Sequence, residues 1–272
     1  MKLRPPIRPK KSLGQHFLRD QNITRKIVAA VHAQPTDVMF EIGPGEGALT
    51  KDLAPLVRTL VVVDIDTRVT NRLSEFYATG SVEVLNRDFL ETDLAEYAQK
   101  YGCRLRVVGN IPYNITSPIL FHLLDNRKYI TDATIMMQKE VALRLVAVPK
   151  SKDYGILSVF FQMYTDVTFL FEVSPNAFYP KPRVISSVVQ MNMLGSPRYA
   201  IADEWTFREM VRSIFGKRRK TLRNSLLYFL EGRNAVLPSG ADLQRRPEDL
   251  TIEELASLSN TLVSPSNRKD GP

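Results

Sequence analysis

Short apolar runs alternate with amphipathic stretches along roughly the first 190 residues of the chain. Runs such as Leu60–Val63 are apolar without alternation, which is typical of strands buried on both faces of a parallel sheet. The pattern predicts strands near 38–42, 60–64, 82–86, 105–109, 133–137, 166–172 and 186–192, and helices near 22–32, 48–56, 67–77, 92–99, 116–124, 138–146 and 155–164. We therefore predict an α/β fold with a mostly parallel sheet, in which the last two strands form an antiparallel edge.

The pattern changes around Leu194–Pro197, where the strand-type runs stop. Beyond this point apolar residues recur at helical spacing, first at Phe207, Met210, Val211, Ile214 and Phe215 and then at Leu222, Leu226 and Leu230. Thr251 and Glu254 have the spacing of a capping box, which opens a last helix. We predict one domain over 1–195 that begins with a basic arm, a small helical domain over 196–264 and a disordered tail over 265–272.

Positive charge is concentrated in two segments. The chain has a net charge of +8, while residues 1–28 contain eight Lys or Arg against one acid and residues 206–233 contain eight against two. The rest of the chain is therefore acidic. A solvated basic helix face explains most charge runs, but two such segments on an otherwise acidic chain indicate a nucleic-acid partner.

Several classes of protein are not expected from the composition. No run approaches the roughly 18 apolar residues that span a bilayer, and the start of the chain lacks a signal-type apolar segment. The single cysteine, Cys103, indicates a reducing compartment, and three scattered histidines make a metal site unexpected. We expect a cytoplasmic monomer that binds neither a membrane nor a metal ion.

A glycine-rich loop follows the first strand of the predicted sheet. Gly43, Gly45 and Gly47 allow a tight turn and close approach of a ligand to the backbone, although the spacing also satisfies a loose dinucleotide fingerprint. The next strand ends at Asp64, about 20 residues on, where a carboxylate can accept both hydroxyls of a ribose. Asp88 and Phe89 follow the third strand and suit the edge and face of an adenine. These features indicate S-adenosylmethionine (SAM).

The tetrapeptide Asn110-Ile111-Pro112-Tyr113 directly follows a predicted strand. Its position is the carboxyl end of that strand, where open α/β sheets bind ligands. The Asn110 side-chain oxygen and the Ile111 carbonyl can accept the two N–H bonds of an exocyclic amine, and Tyr113 can stack on the ring. Alone, the motif would be interpreted as a strand end with a proline turn. With the cofactor loop upstream, it indicates a pocket for an amino-purine.

These motifs together resemble the rRNA adenine N6,N6-dimethyltransferases. The resemblance covers about residues 10–260 and rests on the segments 41–50, Asp88, 110–113, Lys11–Leu18 and Asn176–Val184. Phe215–Leu226 resembles the small-subunit enzymes of the family (KsgA type). Asp64 and His16 stand where the family often has Glu and Asn, respectively.

The resemblance implies a Rossmann-like SAM-dependent methyltransferase sheet and dimethylation of two adjacent adenosines in the 3′-terminal hairpin loop of small-subunit rRNA, within a pre-small-subunit particle. It implies SAM contacts from His16 and Leu18 and a target-base loop containing Phe178, which would sandwich the base with Tyr113; a hydrophobic plug is the alternative for Phe178. We expect Glu41 to order the glycine loop through backbone N–H groups, with a general-base role as the alternative. The residues expected to bind RNA are Lys181, Lys217, Arg218, Arg219, Lys220 and Arg223.

Two other functions fit parts of the pattern. An Erm-type large-subunit rRNA methyltransferase would share the cavity motifs but is not expected to contain the Phe215–Leu226 segment. A non-catalytic ribosome-assembly factor would share the fold, yet it has no need of an amine-binding strand end. The small-subunit enzyme, with a role in ribosome biogenesis, accounts for all of these features.

Overall fold

The structure is a computed structural model that describes residues 6–77, 80–217, 220–231, 237–238 and 242–263. The strands within these residues are β1 Phe17–Leu18, β2 Val38–Ile42, β3 Thr59–Asp64, β4 Val82–Asn86, β5 Leu105–Asn110, β6 Ile130–Gln138, β7 Thr165–Val173, β8 Phe178–Tyr179 and β9 Ser186–Met193. The helices are α1 Gln21–Val31, α2 Thr50–Leu53, α3 Thr67–Phe76, α4 Leu94–Tyr101, α5 Thr116–Asp125, α6 Lys139–Leu145, α7 Ile156–Tyr164, α8 Glu204–Phe215, α9 Leu222–Leu230 and α10 Ile252–Thr261. Two of the predicted RNA-binding residues, Arg218 and Arg219, lie outside the described residues, and so does the tail 265–272 that was predicted to be disordered.

The main sheet has the strand order β4-β3-β2-β5-β6-β9-β7. Strands β2 to β6 pair in parallel, and β9 pairs with β6 in the antiparallel direction. The predicted fold class is confirmed: a mostly parallel sheet with an antiparallel strand and helices around it. The chain order reverses between β2 and β5, and such a reversal leaves a crevice at the carboxyl ends of the strands.

The middle of the sheet is held by apolar strands and by one ion cluster. All five residues of β2 are buried, which explains the non-alternating apolar run in the sequence. At the amino ends of the strands, Arg106 of β5 donates to Asp132 of β6 at 2.9 Å and to Asp37, just before β2, at 2.6 Å. These contacts connect β2, β5 and β6 at the opposite end of the sheet from the crevice.

Residue contacts divide the chain into two units. One contains the described residues up to Ala142 together with Val167–Met193, and the other contains Leu143–Asp166 and the described residues from Leu194 onward. One division falls near residue 194, where the sequence pattern changes, and 143–166, which the sequence analysis placed in the 1–195 domain, groups with the second unit. The physical reason is that α7 is predominantly apolar and packs on α8, with the Phe160 and Phe207 ring centroids 6.3 Å apart.

The described residues of the second unit are mostly helical. The expected apolar face of α8 is buried, and α8 contacts both α9 and α10. The capping box is present at α10, where the Glu254 carboxylate accepts from the Thr251 amide at 2.7 Å and the Thr251 hydroxyl accepts from the Glu254 amide at 3.1 Å.

A second, two-stranded sheet was not expected from the sequence. Strand β1 pairs antiparallel with β8, so that Phe17 faces Tyr179 and Leu18 faces Phe178. The Arg19 amide extends the contact by donating to the Ala177 carbonyl at 2.8 Å. This pairing brings the amino-terminal arm to the Pro-rich loop before β9.

Candidate active site

A cavity of about 230 Å³ lies at the carboxyl ends of β2, β3 and β5. This is the crevice where the strand order reverses. The cavity brings together eleven of the residues that the sequence selected: His16, Leu18, Glu41, Gly43, Gly45, Asp64, Asp88, Asn110, Ile111, Pro112 and Tyr113.

The glycine loop forms the turn that follows β2. The Gly43 amide donates to the Val63 carbonyl at 3.0 Å, and Gly43 and Gly45 have φ angles of +63° and +55°. A Cβ at Gly45 would lie 2.8 Å from the Phe17 ring. The left-handed backbone and the close ring both require glycine here, and they leave main-chain surface for a ligand.

Glu41 is buried at the end of β2, with 1% of its surface exposed. The Thr50 hydroxyl donates to its Oε2 at 2.7 Å, and the Thr50 backbone N–H also bonds to this carboxylate. Burial raises the pKa of Glu41 to about 7 in spite of these bonds. The carboxylate is thus joined to the first residue of α2, which fixes the loop between strand and helix.

Asp64 ends β3 and lines the same cavity. Its Oδ1 accepts from the Asp66 amide at 2.8 Å, and burial raises its pKa to about 6. Asp66 behaves in the opposite way: its buried carboxylate accepts from Arg68 Nε at 2.9 Å and from Gln15 Nε2 at 3.0 Å, and these bonds lower its pKa. Gln15 thereby ties the amino-terminal arm to the end of β3.

Asp88 and Phe89 do not act as a pair in the structure. Asp88 lines the cavity, and its Oδ1 accepts from the Leu90 amide at 2.9 Å as the cap of a short 3-10 turn. Phe89, which was expected to cover an adenine face, is 5% exposed and packs edge-on against His122 with centroids 5.2 Å apart. The turn directs this ring into the core. Ile65, which the sequence reasoning missed, lines the cavity instead and is 55% exposed.

Asn110 is held in one orientation by the amino-terminal arm. Its Nδ2 donates to the His16 carbonyl at 2.9 Å, which leaves the side-chain oxygen as the acceptor. The next residue, Ile111, also lines the cavity, and its carbonyl is followed by Pro112, which has no N–H. The two predicted acceptors therefore belong to consecutive residues that both line the cavity at the carboxyl end of β5.

Tyr113 is fixed at both its hydroxyl and its ring. The hydroxyl lies 2.7 Å from Ser186 Oγ, and the His16 ring stacks against Tyr113 with centroids 5.5 Å apart and an interplanar angle of 24°. The His16 Nδ1 lies 2.7 Å from the Pro180 carbonyl, to which a protonated Nδ1 donates. His16 therefore contacts Tyr113 with its ring and Asn110 with its main chain.

Phe178 does not line the cavity in the structure. Its ring is 5% exposed and belongs to the apolar cluster that contains Phe17 and Leu18. The expected sandwich with Tyr113 is therefore absent in this conformation, and the ring has the position of the hydrophobic plug that was its alternative. The reason is strand alternation, which turns Phe178 inward and Tyr179 outward.

The amino-terminal arm supplies more of the cavity wall than the sequence reasoning selected. Ser12, Leu13, Gly14 and Gln15 line the cavity in addition to His16 and Leu18. A Cβ at Gly14 would lie 2.8 Å from Asn114 Oδ1, and Gly14 has a φ of +61°. The glycine itself is the feature of the sequence that is compatible with such a close approach.

The predicted RNA-binding residues that the structure describes are exposed. Lys181 lies in the first unit, between β8 and β9, and Lys217, Lys220 and Arg223 lie in the second unit. The Lys217 Nζ lies 4.8 Å from the centre of the Tyr228 ring. Within the described part of the chain there is no cluster of three His, Cys, Asp or Glu suited to a metal ion, and no helix there is long and apolar enough to cross a membrane.

Comparison with known proteins gives consistent matches over nearly the whole chain. A family model described as ribosomal RNA adenine dimethylase matches residues 7–263. A protein of Chlorobium phaeobacteroides strain BS1 named ribosomal RNA small subunit methyltransferase A is 47% identical over 254 residues, which cover 93% of each chain. A protein of the same name from Geobacter metallireducens is 43% identical over 266 residues, which cover 95% of this chain and 97% of the relative.

Solved structures are similar over the same range. A dimethyladenosine transferase from Plasmodium falciparum has a TM-score of 0.74 at 26% identity and covers 89% of this chain and 96% of its own. The 23S rRNA methyltransferase ErmE has a TM-score of 0.67 at 27% identity, and the match covers 90% of this chain and 99% of ErmE. The sequence relatives are thus named for the small subunit, and ErmE resembles the chain at a lower identity.

Proposed function

The chain belongs to the ribosomal RNA adenine dimethylase family, and on this premise we propose that it transfers methyl groups from SAM to N6 of two adjacent adenosines in the 3′-terminal hairpin loop of small-subunit rRNA. The sulfonium of SAM supplies the methyl group. The new C–N bond forms as the S–C bond breaks, and the N6 proton leaves to water.

The observation that carries this proposal is the fixed orientation of Asn110. Its Nδ2 donates to the His16 carbonyl, so its oxygen and the Ile111 carbonyl form a pair of acceptors for the two N–H bonds of an adenine N6. The N6 lone pair is delocalised into the ring and is a poor nucleophile. Two acceptors at the amine favour a pyramidal nitrogen with a localised lone pair. Holding the nitrogen in a near-attack geometry contributes about 7–11 kcal/mol in favourable cases.

The glycine turn and the acids that line the cavity support SAM as the methyl donor. The Gly43–Gly45 turn offers close main-chain surface, and a Cβ at Gly45 would displace the Phe17 ring. We assign Asp64 to the ribose hydroxyls, Asp88 to the adenine amine and Ile65 to the adenine face. Glu41 orders the loop and remains at a distance from the methyl group.

The target base enters the cavity unpaired, because a base inside a helix cannot reach the strand end. We assign Tyr113 to stack on this base, since Ser186 and His16 fix the plane of its ring. Phe178 covers the other face of the base only if the loop before β9 turns its ring out of the apolar cluster.

The RNA partner is a pre-small-subunit particle, and the protein acts on it as a cytoplasmic monomer. The two basic segments support this part of the proposal, since Lys and Arg side chains bind phosphates without regard to base sequence. Lys181 lies on the loop that follows Phe178, and Lys217, Lys220 and Arg223 supply exposed charge on the helical unit.

The test is methyl transfer from labelled SAM to two substrates, under-methylated small subunits and protein-free large-subunit RNA, followed by digestion to nucleosides. We expect label in N6,N6-dimethyladenosine from the small subunits alone. Asn110→Ala should reduce transfer about 100-fold or more, comparable to the loss of one preorganised hydrogen bond, and change the binding of particles little. Label from large-subunit RNA would instead favour the Erm-type reaction, and tight particle binding without label would leave an assembly factor.

A further inference from the structure

We propose that the Tyr179 ring, backed by the Arg19 guanidinium, forms a stacking subsite for the unpaired nucleotide next to the target adenosine. This inference rests on the proposed function and deepens it, because it names a second RNA contact beside the cavity. Tyr179 belongs to the segment Asn176–Val184 on which the resemblance rests, but neither it nor Arg19 was given a role from the sequence.

Tyr179 lies directly across a strand pair from the cavity wall. In the β1–β8 ladder it faces Phe17, which lines the cavity, and it precedes Pro180, whose carbonyl contacts the His16 ring. The two residues of β8 point to opposite sides: Phe178 is 5% exposed, while Tyr179 is 51% exposed. The exposed ring is therefore attached to the rim of the cavity by main-chain pairing.

Arg19 places a charged plane against this ring. Its Cζ lies 4.4 Å from the centre of the Tyr179 ring, and its Nη2 lies 3.5 Å from Glu46 Oε2. Glu46 is itself on the glycine loop and lines the cavity, and its Oε1 accepts from the Ile7 amide at 3.0 Å. The ring and the guanidinium thus form a platform at the cavity mouth, with both side chains about half exposed.

A purely structural role does not account for this arrangement. The β1–β8 pair and the Arg19 amide already hold the arm through main-chain bonds, and a cation–π contact at an exposed site adds little. Half of a large aromatic side chain remains in water. An aromatic ring combined with arginine is, by contrast, the usual platform for bases of single-stranded nucleic acid.

The surroundings favour RNA as the occupant. The loop after Tyr179 contains exposed Lys181 and Arg183 and no acid, and the next two residues, Val184 and Ile185, are 42% and 41% exposed. Basic side chains suit the phosphates on either side of a splayed nucleotide, and the apolar ones suit the faces of bases and sugars.

The chemistry of two adjacent targets gives the platform a purpose. When one adenosine enters the cavity, its neighbour loses a stacking partner within the loop. A ring at the mouth replaces that lost partner, and the two adenosines exchange positions between methylation of the first and methylation of the second. The platform therefore lowers the KM for RNA without taking part in the chemical step.

The experiment compares the wild type, Tyr179→Leu and the matched control Tyr179→Phe on small-subunit particles whose target has either adenosine or uridine as its neighbour. With adenosine, Tyr179→Leu should lower kcat/KM about tenfold, through KM, and Tyr179→Phe should match the wild type. The wild type should prefer the adenosine neighbour, since purines stack better, and Tyr179→Leu should lose that preference. Affinity for SAM should be the same in all three proteins.

A Tyr179→Leu variant that matches the wild type, or that loses activity equally with both neighbours, would overturn the subsite. A measurement on the wild type alone guards against misfolding of the variant: 2-aminopurine at the neighbour position should lose fluorescence when the protein binds with S-adenosylhomocysteine, and a gain would overturn the proposal. Absence of transfer to every particle by the wild type, despite SAM binding, would overturn the proposed function itself.

Discussion

Replacing Glu41 with glutamine should change how the stability of the protein depends on pH. Glu41 is 1% exposed, and burial raises the pKa of its carboxyl from 4.5 to about 7. Glutamine keeps the shape of the side chain and can still accept the bond from the Thr50 hydroxyl. The variant therefore removes the ionisation while it preserves the contact between β2 and α2.

The sign and size of the effect come from the direction of the shift. Because the pKa of Glu41 is higher in the folded protein than in the unfolded chain, the folded protein holds the extra proton between about pH 4.5 and 7. The free energy of unfolding therefore falls as pH rises through this window and levels off above it. A shift of roughly 2.5 units corresponds to about 3 kcal/mol. The free energy of unfolding of Glu41→Gln, measured relative to that of the wild type, should thus rise by about 3 kcal/mol between pH 4.5 and 8.

Urea unfolding at several pH values measures this difference. The signal should be far-UV circular dichroism, because the only tryptophan, Trp205, lies in the second unit and would report on the wrong part of the chain. Replacing the exposed Glu91 with glutamine is the matched control and should leave the pH profile unchanged. A constant difference between Glu41→Gln and the wild type from pH 4.5 to 8 would show that the buried carboxyl does not titrate as its surroundings require.

Three further predictions concern the cofactor, the sheet and the basic segment. Asp64 accepts ribose hydroxyls best as a carboxylate and has a pKa of about 6, so the affinity of the wild type for SAM should fall up to tenfold per pH unit below pH 6. The Asp64→Asn variant should bind SAM weakly and without this pH dependence. Calorimetry from pH 5 to 8 checks both results, and a flat wild-type profile would contradict the assignment. Gly109→Ala would place a Cβ 2.8 Å from a carbonyl oxygen of β2 and should lower the free energy of unfolding in urea by about 1–3 kcal/mol. In the control Gly195→Ala the new Cβ meets nothing within 4 Å, so the free energy of unfolding should change little. Equal losses in the two variants would argue against this strand contact. Glutamine substitutions in the basic segment should lower the slope of log affinity for RNA against log salt by about one unit per lost phosphate contact, and an unchanged slope would move the RNA surface elsewhere. The positions to change are Lys217, Lys220 and Arg223.

The main sheet could be predicted because its signals are local. Four of the five residues of β2 are apolar and all five are buried, and the position of the strand follows from the sequence to within a residue. The β1–β8 pair could not be predicted in this way. Its strands have two residues each and lie about 160 positions apart, so neither periodicity nor proximity along the chain indicates them. The grouping of 143–166 with the helical unit depends likewise on long-range packing.

The candidate site was predictable where it follows the strand ends. Parallel strands bring their carboxyl ends together, so Glu41, Asp64 and Asn110 meet in one cavity although 23 and 46 positions separate them along the chain. The orientation of aromatic rings was not predictable. Phe89 follows a capping aspartate into a 3-10 turn that directs its ring to the core, and Phe178 takes the inward position of β8. In both cases the local backbone, and not the residue type, decides which way the ring points.

The acids near the cavity divide into two groups with different tasks. Asp66 is surrounded by donors from Arg68 and Gln15, which lower its pKa, so it anchors the arm as a carboxylate well below neutral pH. The pKa values of Glu41 and Asp64 are raised to about 7 and about 6, respectively, because hydrogen bonds to these carboxylates only partly offset the effect of burial. A cationic ligand with hydroxyl donors compensates that burial when it binds. SAM should therefore stabilise the protein more at pH 8 than at pH 5, and the arm should remain anchored to Asp66 at both.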